Sequence, residues 1–112
     1  MDYISWQYFE KVEIRVGTVI EVVDFPEAKK PAFKLKIDFG PDIGIRESSA
    51  QITVHYTKEA LLHTQVVCVI NFTPKKIGPF VSQVLITGFP DNNSAVVLCV
   101  PQKQVPNGAK LY

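Results

Sequence analysis

Apolar and polar side chains alternate from Val12 to Asp24, and this alternation predicts a strand with one buried face. Gly17 interrupts the segment near its middle. A glycine there weakens strand pairing but allows the sharp bend that the first strand of a closed barrel requires. The pattern therefore favours a barrel, and the buried face of this strand is predicted to carry Val12, Ile14, Val16, Ile20 and Val22.

The same alternation predicts two more strands. The segment Phe33 to Phe39 has apolar residues at every second position, with Lys34 and Lys36 on its polar face. The segment Ser49 to Val54 repeats the pattern with an uncharged polar face, and Arg46 lies just ahead of it. The second strand is thus predicted to offer a lysine-bearing face.

The second half of the chain predicts one short helix and three strands. Thr57 is suited to cap a helix from Lys58 to Leu62, because its hydroxyl can accept a hydrogen bond from a free backbone N–H. Continuous or alternating apolar runs predict strands at Val66 to Phe72, Phe80 to Thr87 and Ala95 to Val100. The first five of these strands, with a short helix after the third, predict an all-β, five-stranded OB-fold barrel, whose second and third strands usually form the ligand face.

Length and charge limit the architecture and the partners. A chain of 112 residues has room for one domain, so we predict a single OB-fold with terminal extensions at about 1–10 and 95–112. The formal net charge is +1, so any affinity for RNA must come from a local patch. No secretory signal and no apolar stretch of about 18 residues occurs. We therefore expect a cytoplasmic protein without membrane insertion.

Few residues suggest catalytic or metal-binding chemistry. Cys68 and Cys99 lie in apolar surroundings, where a free cysteine acts as a small hydrophobe, with a disulfide or a catalytic thiol as the alternative. His55 and His63 lack further ligands at metal-binding spacing, so we expect them to be solvated or to cap the chain. No nucleophile elbow, phosphate loop or paired-carboxylate motif is present. The sequence predicts a binding protein without a cofactor rather than an enzyme.

Basic residues gather around the predicted second strand, the start of the third and the loop before the fifth. The fold could place them around one groove, and a basic groove edged with aromatic residues suits RNA through phosphate contacts and base stacking. Alternatively they are ordinary surface residues, since Glu27, Asp38, Asp42 and Glu47 are interleaved among them. The members of this group are Lys29, Lys30, Lys34, Lys36, Arg46, Lys75 and Lys76.

Large apolar side chains crowd both ends of the chain, outside the strands that could bury them. Exposed apolar clusters usually mark an interface, and two-fold pairing is the commonest oligomeric arrangement. We therefore predict a homodimer sealed by the terminal segments, with packing of both ends onto the barrel of their own chain as the alternative. The predicted interface residues are Trp6, Phe9, Leu111 and Tyr112.

Three motifs resemble the tRNA-binding domain family, whose members occur as synthetase appendages and as stand-alone dimeric proteins. They are Ile14-Arg15-Val16-Gly17, Asn71-Phe72-Thr73-Pro74-Lys75-Lys76 and Ser82-Gln83, within a resemblance that spans about Phe9 to Gln102. Family members commonly have K-M-R-G at Lys76-Ile77-Gly78-Pro79, S-Q-G-M at Ser82-Gln83-Val84-Leu85 and S-G-L at Ala50-Gln51-Ile52. The missing arginine removes a bidentate phosphate ligand and weakens the tRNA interpretation. The residues implied for tRNA are Lys34, Lys36, Arg46, Asn71, Lys75, Lys76 and Ser82.

Three other segments resemble one branch of this family, homodimeric chaperones implicated in holding precursor proteins for export. They are Ser48–Ile52, Phe33–Lys36 and Val105–Ala109. The resemblance implies a chaperone that binds unfolded or precursor polypeptides, with the export translocase ATPase as a further partner and tRNA binding as the alternative function. The absence of a nucleotide-binding loop implies that it works without ATP, and apolar pockets beside lysines would favour peptides that mix apolar and acidic residues. The residues implied for peptide binding are Phe33, Lys34, Lys36, Arg46, Gln51, Phe80, Ser82 and Val84.

Overall fold

An antiparallel sheet coiled into a nearly closed barrel forms the body of the protein, and the computed structural model describes all of residues 1–112. The helices are α1 (Trp6–Glu10) and α2 (Lys58–Leu61), and the strands are β1 (Ile14–Asp24), β2 (Phe33–Asp38), β3 (Ile45–Ala50), β4 (Gln65–Val69), β5 (Lys75–Ile77), β6 (Phe80–Ser82), β7 (Leu85–Ile86), β8 (Gly88–Pro90) and β9 (Val96–Leu98). Five strands lie side by side in the order β3-β2-β1-β4-β7, and β5–β6 and β8–β9 form two separate hairpins. The predicted five-stranded barrel with a short helix between strands three and four is confirmed.

β1 has a bulge shortly after its glycine. The register of β1 against β2 shifts between Val19 and Glu21, so Ile20 has no partner there. This shift buries Val19 and leaves Ile20 37% exposed, so the prediction of Ile20 on the buried face is wrong. Gly17 serves close packing instead, because a Cβ on it would lie 2.5 Å from Ile37 Cγ2.

Two strand boundaries differ from the alternation pattern near the ends of the barrel. β1 begins at Ile14, and Val12 is exposed before it. β3 runs from Ile45 to Ala50, and residues 51–54 leave the sheet in a turn, so the predicted third strand is displaced toward the C-terminus. β3 begins with an exposed isoleucine followed by two charged residues, which hides it from a search for alternation.

In the second half of the barrel, the strands are shorter than predicted, and one predicted strand is divided between two pairing partners. The predicted fourth strand ends early, at Val69. The predicted fifth strand divides after Ser82, because its first part pairs with β5 and its second part, β7, pairs with β4. The predicted last strand is shorter than expected and pairs with β8 as a hairpin. Short runs that exchange partners have no signature in apolar periodicity.

The core lies inside the barrel and is closed at one end by α2. Leu35, Ile37 and Val66 are at most 2% exposed and form its centre. Leu61 of α2 is 1% exposed, so the helix plugs the barrel as predicted. The predicted cap is also present, because the Thr57 hydroxyl accepts a hydrogen bond from the Ala60 N–H at 3.1 Å.

One backbone hydrogen bond and several side-chain hydrogen bonds, rather than a regular strand pairing, close the barrel at β3. The Gln83 N–H donates to the Glu47 carbonyl and the Gln83 Oε1 accepts from the Glu47 N–H, both at 2.8 Å. The Ser48 hydroxyl donates to the Val84 carbonyl at 2.7 Å. We call this boundary between β3 and residues 82–84 the seam.

The two ends of the chain meet beside the first half of β1. Residues 105–111, the C-terminal strap, add to β1 through hydrogen bonds that include Gly108 N–H to the Val16 carbonyl at 2.7 Å. The Lys110 ammonium reaches the Glu10 carbonyl at 3.4 Å, which links the strap to α1. The strap therefore packs on its own barrel, yet Trp6 and Tyr112 remain 59% and 100% exposed. Neither α1 nor α2, of five and four residues, is long enough to span a membrane.

Candidate ligand-binding groove

A groove of about 220 Å³ lies on the outer face of the sheet formed by β1, β2 and β3. The strand register builds it, because Lys36 of β2 lies directly between Glu21 of β1 and Glu47 of β3. Lys34 lies two residues from Lys36 and therefore faces the same side of the sheet. The lining residues are Glu21, Val23, Lys34, Leu35, Lys36, Glu47 and Phe80.

The ammonium of Lys34 is held against two aromatic rings. Its Nζ lies 5.3 Å from the ring centroid of Phe25 and 5.8 Å from that of Phe80. The two rings contact each other edge to face, with centroids 5.4 Å apart. Such cation–π contacts attract the ammonium to the ring faces and hold it in place. Lys34 thus presents a positioned positive charge beside a half-buried phenylalanine.

The charges in the groove cancel. Lys36 Nζ lies 3.6 Å from Glu21 Oε2, and both side chains are about half exposed. Lys34 and Glu47 make no ion pair within 4 Å. Two lysines and two glutamates therefore give the groove no net charge, unlike the basic groove considered from sequence.

Five of the residues implied for peptide binding belong to the groove or the core beneath it. Lys34, Lys36 and Phe80 line the groove. Phe33 and Val84 are only 7% and 5% exposed and belong to the hydrophobic core. The structure therefore places these two in the core rather than on the surface of the groove.

The remaining residues implied for peptide binding lie apart from this lining. Arg46 pairs with the buried Ile37 and so shares the inner side of the sheet, and its guanidinium donates to the Ile43 carbonyl at 3.2 and 3.3 Å. Ser82 belongs to the seam, where its hydroxyl accepts weakly from the Ser49 N–H at 3.4 Å. Gln51 is exposed beyond the end of β3.

The residues implied only for tRNA divide into two groups. Lys75 and Lys76 are exposed on β5 and make no ion pair. Asn71 instead connects the barrel to the N-terminal segment, because its Oδ1 accepts from the Glu13 N–H at 2.9 Å and its Nδ2 donates to the Lys11 carbonyl at 2.7 Å. The family motif at Asn71 therefore has a structural role in this chain.

Sequence reasoning missed three contributors to the groove. From the sequence, Glu47 was considered only as an interleaved charge and Glu21 only as a polar position of the first strand. The register with Lys36 brings the two together. Phe25 follows the end of β1, and its contact with Phe80 joins segments 55 residues apart. The predicted polar face of the second strand could have pointed to the two glutamates that flank it. No local sequence pattern indicated that Phe25 contributes to the groove.

The histidines and cysteines lie away from the groove lining. His55 Nε2 is 2.7 Å from Asp91 Oδ2, and this contact, with the N–H groups of Ala95 and Asn93, holds the pKa of Asp91 below its usual value. Burial raises the pKa of the Cys68 thiol to about 12. Both cysteines are free, and no group of three or more histidine, cysteine, aspartate or glutamate side chains is placed to hold a metal ion.

Residues 14–110 match the family described as "Putative tRNA binding domain". Among curated proteins, the methionine–tRNA ligase of Pyrococcus furiosus is 37% identical over 99% of this chain, and that of Pyrococcus horikoshii is 36% identical over 99%. The matched region is 15% of each ligase, so this chain spans only a small part of their length.

Solved structures match the chain over nearly its whole length. Chaperone CsaA of Bacillus anthracis has a TM-score of 0.90 and 41% identity, covering 99% of this chain and 100% of that one. The CsaA chaperone protein of Picrophilus torridus has a TM-score of 0.90 and 45% identity, covering 98% and 100%. A MetRS related protein of Pyrococcus horikoshii has a TM-score of 0.87 and 27% identity, covering 100% of both chains. The resemblance to a chaperone branch, predicted from three segments, is confirmed as a similarity to CsaA.

Proposed function

The chain belongs to the tRNA-binding domain family, and from this premise we propose that it is a homodimeric, ATP-independent chaperone that binds unfolded or precursor polypeptides for export. The similarity to two CsaA chaperones extends over their full length, whereas the ligases share only an accessory portion with this chain. A binding role without catalysis, carried out in the cytoplasm, is part of the proposal.

The neutral, aromatic-edged groove is the observation that carries this proposal. Nucleic-acid binding by a basic groove depends on phosphate neutralisation and counterion release, and the paired lysine and glutamate charges here oppose it. A polypeptide, in contrast, can offer apolar, acidic and basic side chains together. Phe80 and Val23, which is 40% exposed, supply the apolar contacts.

The proposed mechanism is passive. An exposed segment binds across β1, β2 and β3, and binding lowers the concentration of free unfolded chain that can aggregate. The segment is released by dissociation, and transfer to the export translocase ATPase completes the proposed role.

The proposed homodimer would use the terminal surface. Trp6 and Phe9 contact each other with ring centroids 5.2 Å apart. Leu111 ends the strap, which Lys110 links to α1, and Tyr112 follows it. Light scattering of the wild-type protein should give the mass of two chains. Trp6→Ser combined with Leu111→Ser should shift it to one chain, while Val54→Ser, an exposed apolar residue elsewhere, should not.

Recognition of tRNA is the second candidate. The exposed, unpaired Lys75 and Lys76 on β5 favour it, because they could contact phosphates outside the neutral groove. If they do, affinity for tRNA should fall steeply with salt and should depend on these lysines rather than on Phe80.

The deciding experiment titrates the protein with a labelled unfolded precursor and with labelled bulk tRNA, at low and physiological salt, by fluorescence anisotropy. The chaperone proposal expects salt-tolerant precursor binding that Phe80→Ser weakens and Lys103→Ser, the change of an exposed lysine outside the groove, does not. Tight tRNA binding at physiological salt without precursor binding would overturn it, and Lys76→Ser would then identify the surface used.

A further inference from the structure

Two opposite charges in the groove, those of Lys34 and Glu47, have no ion-pair partner in the protein. Lys36 is neutralised by Glu21 at 3.6 Å. The Lys34 ammonium rests on two aromatic rings, and the half-buried carboxylate of Glu47 makes no hydrogen bond or ion pair through its side chain. The groove therefore presents one free positive and one free negative charge on the same face of the sheet.

The strand register sets the separation of these two charges. Glu47 lies opposite Lys36, and Lys34 lies two residues earlier in β2. Lys34 and Glu47 are therefore diagonal neighbours. Side chains in that relation start about 7–8 Å apart. In an extended polypeptide, side chains two residues apart point to the same side at a spacing of about 6.6–6.8 Å. The two spacings match within the reach of these side chains.

We propose that the groove selects extended polypeptide segments that carry an acidic and a basic side chain two residues apart. The acidic side chain pairs with Lys34 and the basic one with Glu47. An apolar side chain two residues before or after the acidic one then reaches Phe80, whose ring contacts the Lys34 ammonium. This inference rests on the proposed function, because it specifies the class of polypeptide that the same groove binds.

The pattern also sets polypeptide apart from nucleic acid. A phosphate backbone satisfies Lys34 but leaves Glu47 facing further negative charge, which costs affinity. A segment with two acidic side chains likewise leaves Glu47 facing a negative charge, and a segment with two basic side chains leaves Lys34 facing a positive charge. Only a ligand that carries both signs at this spacing satisfies the groove.

The test uses labelled peptides that differ in one feature each. The reference is Gly-Ser-Val-Ser-Asp-Ser-Lys-Ser-Gly, and the others replace Asp by Asn, replace Lys by Gln, replace Lys by Asp, or place Asp and Lys next to each other. Each is titrated against the wild type, Lys34→Met and Glu47→Gln by anisotropy. Lys103→Met and Glu59→Gln serve as matched controls, because both residues are exposed and lie outside the groove.

The reference peptide should bind most tightly, and each single replacement should weaken binding about two- to five-fold, the range of exposed ion pairs. Double-mutant cycles should show coupling between Lys34 and the peptide Asp and between Glu47 and the peptide Lys, and none at the controls. Equal affinity for all peptides that bind would overturn the charge pattern and leave the chaperone proposal standing. Binding of no peptide and of no unfolded precursor would overturn both.

Discussion

The side-chain amide of Gln65 makes both hydrogen bonds of a strand bridge to the backbone of Val105. Its Nε2 donates to the Val105 carbonyl at 2.7 Å, and its Oε1 accepts from the Val105 N–H at 3.1 Å. Gln65 is 8% exposed, and Nε2 also lies 3.2 Å from Asn107 Oδ1. One buried side chain of β4 therefore fixes the start of the C-terminal strap.

Replacing Gln65 by alanine should destabilise the fold by about 1–3 kcal/mol, because it leaves the backbone groups of Val105 without their partners. Thermal unfolding followed by circular dichroism measures the loss. Gln102→Ala is the matched control, since Gln102 is exposed and makes no hydrogen bond through its side chain. Equal melting temperatures for the two variants would show that the bridge contributes nothing.

Gly17→Ala should destabilise the protein by about 1–3 kcal/mol through overpacking. The added methyl group would lie 2.5 Å from Ile37 Cγ2 and 2.8 Å from Phe39 Cδ1, and both residues belong to the core. Denaturant unfolding provides the measurement, with the exposed change Gln51→Ala as the control. A Gly17→Ala midpoint at or above that of the wild type would contradict the packing role assigned to this glycine.

The Glu13 carboxylate should stabilise the strap in a pH-dependent manner. Hydrogen bonds from Arg15 and Lys110 hold the pKa of Glu13 below the usual glutamate value of 4.5. A carboxyl group whose pKa is lower in the folded state contributes stability above its unfolded pKa and loses it as the pH falls through the folded pKa. The unfolding free energy of the wild type should therefore exceed that of Glu13→Gln at neutral pH.

That difference should shrink once the pH falls below about 4.5, as the carboxylate becomes protonated. Unfolding curves of both proteins at a series of pH values test this directly. A difference that stays constant down to about pH 3, or grows in acid, would mean that Glu13 is not charged in its contacts with Arg15 and Lys110.

Cys68 should resist thiol reagents in the folded protein. It is fully buried, and burial raises its pKa to about 12, so almost no reactive thiolate exists near pH 8. Cys99 is partly exposed, so a disulfide reagent should modify one thiol per chain in native buffer and two in denaturant. Cys99→Ser should abolish the native reaction, and rapid labelling of that variant would show that Cys68 is accessible.

The sequence pattern succeeds where burial alone decides the structure. The second strand was predicted well because Leu35 and Ile37 alternate with lysines that face the groove. The cap at Thr57 was also predicted, because N-capping is a local interaction. Local periodicity and local chemistry are enough for such elements.

The sequence pattern fails where a contact between distant segments decides. The bulge beside Ile20 depends on how β1 fits β2, and the change of partner after Ser82 depends on β4 and β5. The groove itself required the register that places Glu47 beside Lys36, so its neutral charge could not be predicted from the spacing of lysines along the chain. Strand register, not composition, determines this property.

We expect the seam to be the boundary at which the barrel opens by local fluctuation. Few hydrogen bonds cross it, and most of them use the side chains of Ser48, Ser82 and Gln83, whereas β1 pairs with β2 and with β4 over at least five residues each. In native-state hydrogen exchange, the backbone amides of the β5–β6 hairpin should therefore have a lower opening free energy than those of the core strands. Because Phe80 belongs to that hairpin, we expect the width of the groove to vary while the barrel core stays folded, so that the proposed site would accommodate segments of different bulk.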